Sequence, residues 1–329
     1  MMLKNSVIKQ LIKLKPIQNY YSGIATIFML HRVGENDPNK LPANENMKVS
    51  PTFLDSFIKL LLERGYEIIS LDQLYDILLA KKSVTKKVVF TFDDGYKDNL
   101  TLALPIFEKY NIPFTVYITT SFPDSKAILW WYALEDILLN HETIELSDGS
   151  LYKCGNLIEK QKVFLEIRDK ILKLNQANLA SLLEDLFSSY KVDWYTYTDN
   201  LALSWEEVIT LANHDLVTIA GHTVNHYAFN QLTANQINHE VLRANKKLES
   251  KINKKIEHFA YPFGSENEVG ETEYTTVKNL KLKTVTTTRR GNIHLQHATH
   301  LYALPRIMLT ANFDLKDIAL PTRKKVVVL

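Results

Sequence analysis

Apolar runs of strand length alternate with amphipathic, capped stretches along most of this chain, and no other feature restricts its fold as strongly. Such runs, set between helices, are the pattern of parallel strands in repeated βα units. Strands are predicted at residues 25–30, 67–69, 88–92, 114–119, 216–220, 258–260, 283–287 and 301–309, the last interrupted by Pro305. Ser50 and Pro51 supply an N-cap and first-turn residue for one helix. Ser70 with Gln73, and Thr233 with Gln236, form capping boxes for two more. Between residues 124 and 203 the rhythm changes to a largely helical insertion, with one small hairpin predicted at 142–152 turning on Asp148-Gly149. At 329 residues the chain is long for one ordinary domain but within the range of a single α/β barrel.

Composition excludes several classes. Hydrophobic residues make up 46% and charged residues 23%, ordinary globular usage that rules out wholesale disorder. Thirty-nine Lys and Arg against 37 Asp and Glu leave a net charge of +2, which argues against nucleic acid as a partner. A single cysteine, Cys154, excludes an internal disulfide framework and a cysteine-based zinc cluster. No apolar run approaches the ~18 residues of a membrane-spanning helix. Residues 1–22 form a basic N-terminal segment in which Val7, Ile8, Leu11, Ile12 and Leu14 fall at helical spacing and Pro16 ends the pattern. It lacks the continuous hydrophobic core of a secretory signal, so the expected location is cytoplasmic. This helix would either rest on an anionic membrane surface or pack on its own domain.

Polar residues cluster where predicted strands end. Asp93-Asp94, His222 and the segment Tyr261-Pro262-Phe263-Gly264 all follow strands, and in a β/α barrel those ends share the face that carries the chemistry. His222 and His226, at i and i+4, would lie on one face if their segment were helical, with both imidazoles in reach of one metal. Taken alone, such a pair is as well explained by capping or hydrogen bonding, and Asp-Asp-Gly alone by a polar turn. Together they offer two neutral imidazoles, one ligating carboxylate and one free carboxylate. That is a recurrent composition for a hydrolytic metal site.

The segments TFDDGY at 91–96, GHTVNH at 221–226 and FAYPFG at 259–264, in that order, resemble carbohydrate esterase family 4, the polysaccharide deacetylases of the nodulation-deacetylase homology domain. The resemblance spans roughly residues 31 to 307. LHRV at 30–33, the Trp130-Trp131 pair and LPRI at 304–307 resemble a bacterial branch acting on surface glycans. It implies a fold of class α/β, a distorted (β/α) barrel of seven strands over residues 23–329. It implies Asp93 as general base and Asp94, His222 and His226 as ligands of one divalent transition metal, zinc first, then cobalt, nickel or manganese. Such a cation would polarise water and the acetamide carbonyl. The backbone N–H of Phe263 would help hold the oxyanion, Thr223 would brace the histidine loop, and Tyr96 and Tyr261 would line the sugar site.

Two positions depart from the family pattern. Ala260 stands where an arginine often pairs with the base, so Arg306, or else Arg289 or Arg290, is expected to supply that cation. The last motif lacks its histidine, and amide cleavage needs a proton for the leaving amine. His31, at the end of the first strand, is the first candidate for that donor, ahead of His294, His297 and His300. The activity these residues imply is removal of an N-acetyl group from an amino sugar of a surface glycan or of its lipid- or nucleotide-linked precursor. The alternatives are a deformylase or other amidohydrolase on a sugar-lipid amide, and an inactive barrel that binds glycans.

Overall fold

A computed structural model describes residues 21–319, so the N-terminal segment expected over 1–22 lies almost wholly outside the described residues. Seven parallel strands close into a barrel: β1 (Ala25–Leu30), β2 (Lys87–Phe92), β3 (Phe114–Ile118), β4 (Val217–Gly221), β5 (His258–Ala260), β6 (Thr284–Arg290) and β7 (Leu304–Met308). The ring closes through β1, which pairs with β7 at Phe28↔Ile307 and with β2 from Ala25↔Lys87 to Leu30↔Phe92. The strand expected at 67–69 shortens to Glu67–Ile68 and stays outside this ring. It pairs only with Lys87 and Val88, on the β2 edge that β3 takes over at Thr91↔Thr115.

Around the barrel run α1 (Pro51–Glu63), α2 (Leu71–Leu79), α3 (Leu104–Tyr110), α4 (Trp130–Asn140), α5 (Leu157–Ile171), α6 (Leu179–Leu186), α7 (Trp205–Ala212), α8 (Ala234–Ile252) and α9 (Glu271–Lys278). The expected caps are present: Ser50 accepts from the Phe53 N–H, and Ser70/Gln73 and Thr233/Gln236 form reciprocal boxes. Strand alternation sorts side chains into two layers. Phe28, Leu30, Phe90, Phe92, Phe114 and Val116 face outward against apolar residues of α1, α3, α7 and α8. Ala25, Ile27, Val89, Tyr117, Ala220, Ala260 and Leu304 meet one another inside the barrel. Continuing that inward parity beyond the strand ends selects His31, Asp93 and His222, and within β7 it selects Arg306.

Pro305 sits within β7, although it cannot donate to a ladder. The register there jumps from Thr286↔Leu304 to Arg290↔Arg306, a bulge that accommodates the missing N–H. Between β3 and β4, α4, α5 and α6 build a separate apolar cluster around Trp130, Leu134, Phe164, Leu183 and Phe187. The hairpin pairs Thr143–Glu145 with Leu151–Lys153 and turns with Gly149 at φ 83°. Two bonds pin the cluster to the loop after β1: Leu41 N–H donates to Glu135 Oε1 at 2.7 Å and Ala43 N–H to Gln161 Oε1 at 2.9 Å. Among the described residues no helix is long and apolar enough to cross a membrane.

Gly221 ends β4 directly before His222, and a Cβ there would overlap the Asn245 side chain of α8 and come within 3.4 Å of the Phe259 ring. Gly221→Ala is therefore expected to cost about 1–3 kcal/mol, measured by urea unfolding. Adding Asn245→Ala should return most of that loss; an additive double variant would show that the overlap is not the cause.

Candidate active site

Asp93 continues the inward parity of Val89 and Thr91, and Arg306 meets it from β7. Arg306 Nη1 reaches Asp93 Oδ1 and Nη2 reaches Oδ2, each at 2.6 Å, a bidentate pair with both side chains almost entirely out of water. Arg306 Nε donates to the Thr287 carbonyl at 2.9 Å, and Nη1 also reaches Thr91 Oγ1 at 3.1 Å. Burial, the largest single influence, pushes the Asp93 carboxyl up, but the Arg306 charge and hydrogen bonds together with the fields of His222 and His31 outweigh it and hold Asp93 below the usual carboxylate range. Asp93 is ionised at neutral pH, and each oxygen keeps a lone pair beyond the one Arg306 uses. The cation expected from Arg306, Arg289 or Arg290 is thus placed by Arg306. Arg289 donates to the Val269 carbonyl and Arg290 to that of Asp317.

Asp94 leaves the strand with φ +78°, followed by Gly95 at +96°, and this left-handed pair turns its carboxylate away from the outer layer. Its Oδ1 lies 3.3 Å from His222 Nε2 and 3.1 Å from His226 Nε2. One ligand atom from each of the three residues falls within 4.8 Å of the others. His222 Nδ1 lies 2.7 Å from the Ala260 carbonyl, which can only accept, so Nδ1 carries a proton and a neutral ring presents its Nε2 lone pair toward Asp94. Burial lowers the His226 pKa, which favours a neutral ring at that position. Asp94 Oδ1 is buried without a hydrogen-bond donor. An imidazole lone pair facing a carboxylate oxygen is a repulsive arrangement that a cation relieves, so these residues fit a divalent transition metal by their donor chemistry.

His222 and His226 do not converge by sharing a helical face. Thr223 and His226 stand at φ +72° and +60°, so the segment is a strained loop, stabilised by the His226 N–H donating to Thr223 Oγ1 at 2.9 Å. Thr223 therefore braces the loop. A second brace had no signal in the sequence: buried Glu240, from α8, accepts from the N–H groups of Val224 and Asn225 at 3.0 and 2.9 Å. Its other oxygen takes Asn225 Nδ2 at 2.7 Å.

These groups form the floor of a cleft of about 540 Å³. His31 lines it, at the position following the Leu30↔Phe92 pairing and hence beside Asp93, with Nδ1 buried and without a hydrogen-bond partner. Phe263 lines it at φ +58°, its ring 4.7 Å from that of His226, and Tyr96 lines it as well. Tyr261 does not. It shares outward parity with Phe259, is fully buried against Phe229 and Tyr274, and donates to the Tyr302 carbonyl at 3.0 Å. His294, His297 and His300 lie away from the cleft, with His297 buried in the turn Leu295–Thr299. The insertion adds a wall that includes Trp130, Trp131, Phe164 and Arg168, with Trp131 5.5 Å from the His226 ring. Replacing Glu240 by Ala leaves two backbone N–H groups without their acceptor, at about 1–3 kcal/mol. Metal affinity, measured by calorimetric zinc titration, should fall about 10–100-fold; unchanged affinity would leave Glu240 without a bracing role.

Comparison with known proteins fits this geometry. The protein YxkH of Bacillus subtilis (strain 168), whose name assigns it provisionally to the polysaccharide deacetylases, is 28% identical over 93 residues, which is 28% of this chain and 30% of that relative's own length. The fold is similar to that of a Streptococcus pyogenes deacetylase, PplD, at TM-score 0.58 and 19% identity, covering 88% of this chain and 93% of that one. A polysaccharide deacetylase from Bacillus cereus gives TM-score 0.57 at 17% identity, over 90% of this chain and 67% of that one. A de-N-acetylase from Aggregatibacter actinomycetemcomitans gives 0.54 at 16%, over 89% and 98%. The family model described as polysaccharide deacetylase matches residues 80–150 and 155–284, a span that holds Asp93, Asp94, His222, His226 and Phe263. The chain belongs to the polysaccharide deacetylase family.

Proposed function

We propose that this protein is a metal-dependent hydrolase that removes an N-acetyl group from an amino sugar in a surface glycan or its lipid- or nucleotide-linked precursor. The observation that carries this reading is the placement of the Asp94, His222 and His226 donor atoms on the same cleft floor as the Arg306-clamped Asp93. The ion pair would serve barrel closure in a glycan-binding barrel too, but such a barrel would have no use for the Asp94, His222 and His226 donor set beside it.

A zinc or related divalent ion held by these three residues would supply Lewis-acid polarisation of the amide carbonyl and of water. The chain's own residues do the rest. Asp93, fixed by Arg306 with a lone pair to spare, accepts the proton of the attacking water. The Phe263 N–H, on a loop secured by the Thr288 hydroxyl donating to the Phe263 carbonyl at 2.6 Å, helps hold the oxyanion. His31 protonates the leaving amine from the neighbouring strand end. Tyr96 and the aromatic wall of the insertion seat the sugar. Within this reading, contact with a membrane surface through the N-terminal segment suits a lipid-linked substrate, and the cytoplasm suits a precursor.

The tests follow from this division of labour. Purified protein should carry about one transition-metal ion per chain by mass spectrometry, and His222→Ala should lose it. Near-zero metal in both, after exposure to zinc, cobalt, nickel and manganese, would end the proposal. Asp93→Asn should keep the metal and lower kcat for acetate release from N-acetylated amino-sugar oligomers by about 10²–10⁴-fold. His31→Ala should lower kcat with metal content intact; full turnover would remove it as the donor.

A further inference from the structure

The cleft floor consumes its own charges. Asp93 is paired with Arg306, and Asp94 faces two imidazoles. Above that floor the wall is built of apolar, aromatic and uncharged polar residues and carries a charge at one place. Among the described residues lining the cleft, Arg168 is the one lysine or arginine, and Asp93 and Asp94 are the only carboxylates. Gln161, Phe164, Leu165 and Arg168 fall three and four apart on α5 and all line the cleft, so a single helix face forms this wall. The Gln161 bond to the Ala43 N–H fixes that face against the loop after β1.

The position of Arg168 relative to the chemistry is also set. Its guanidinium lies 5.8 Å from the Phe263 ring centre, and that ring stands edge-to-face on His226 at 4.7 Å. The cation is therefore one ring beyond the candidate metal ligands, on the same cleft as the reacting groups. Its protein counter-ion is weak: Asp169 Oδ1 meets Nη1 at 3.1 Å, but Asp169 is 65% exposed. Such an exposed pair holds the guanidinium only weakly, and it leaves the other guanidinium nitrogens to serve an anion.

We propose that Arg168 is a specificity-determining residue that selects substrates carrying an anionic group, a phosphate or a carboxylate, on or beside the sugar adjacent to the amide. This rests on the deacetylase reading of the site and narrows it to acidic glycans or glycosyl phosphates. No acid on the cleft wall opposes such a group, and the aromatic wall beneath it lowers the local dielectric and strengthens the pairing.

The test is calorimetric binding to the metal-loaded protein, with three probes that share one N-acetylated disaccharide: uncharged, bearing a phosphate monoester at the reducing end, and bearing a uronic acid there. Wild-type protein should bind at least one anionic probe tenfold or more tightly than the neutral one, and which anion it prefers distinguishes phosphate from carboxylate. Arg168→Gln should bring the ratio of anionic to neutral affinity close to one, Arg168→Lys should retain part of it, and Asp169→Asn should raise it. An equal affinity of wild type for all three probes, or a ratio unaltered by Arg168→Gln, overturns the proposal. Hydrolysis is scored separately by acetate release. Selective anion binding without acetate release would refute the deacetylase reading while leaving the anion site standing, and acetate release without anion selectivity would do the reverse.

Discussion

The pairing of Asp93 with Arg306 is the constraint around which the barrel is organised. Both groups are lifted out of water, at a cost of several kcal/mol per ion, and only near-complete compensation makes that tolerable. Arg306 uses four of its five N–H groups: two on Asp93, one on Thr91 and one on the Thr287 carbonyl. Thr91 passes the chain of bonds on, its hydroxyl donating to the Phe28 carbonyl at 2.8 Å. One guanidinium therefore ties together β1, β2, β6 and β7, the strands at which the ring closes. Removing either partner of such a pair costs about 3–5 kcal/mol, because the other charge is left buried alone. The interaction that closes the barrel is also the one that keeps a carboxylate ionised and aimed into the cleft.

Around this rigid centre the backbone is strained where the candidate ligands are. Asp94, Thr223, His226 and Phe263 all stand at positive φ without being glycine. Each costs on the order of 1–3 kcal/mol and persists only where its surroundings over-determine it. Those surroundings are visible: Gly95 after Asp94, Glu240 and Thr223 under the histidine loop, and Thr288 holding the Phe263 carbonyl. The strain buys convergence. A regular helix would set His222 and His226 on one stripe, whereas this loop brings both Nε2 atoms onto one oxygen of Asp94.

Much of this was legible from residue order alone. Apolar runs and capping pairs locate the seven barrel strands and the main helices, and strand parity explains why Asp93, His222 and His31 share the cleft while Tyr261 does not. Phe259 and Tyr261 are both apolar-bodied residues flanking small Ala260, and that alternation already assigns Tyr261 to the outer layer. Arg306 was accessible for a similar reason, since a charged residue in the middle of an apolar strand needs a buried partner. What sequence could not supply is contact between distant segments. Glu240 looks like any acid in the first half of an amphipathic helix, and only the packing of α8 beneath β4 makes it the acceptor for the histidine loop. The bulge that absorbs Pro305 depends on a cross-strand register that no local pattern encodes.

In the proposed reading, chemistry and selectivity sit on different parts of the chain. The groups suited to hydrolysis come from strand ends whose positions are fixed by barrel closure, so they have little freedom to vary without loss of fold. The wall above them comes from α4 and α5, which carry their own apolar cluster and reach the barrel side of the cleft through the loop after β1 and through Phe263. A wall with an independent core can change its cleft-facing residues without disturbing the ion pair below, because the two share no buried charge. What distinguishes one substrate from another is then expected on the α5 face, where Gln161, Phe164, Leu165 and Arg168 stand, rather than among the buried carboxylates.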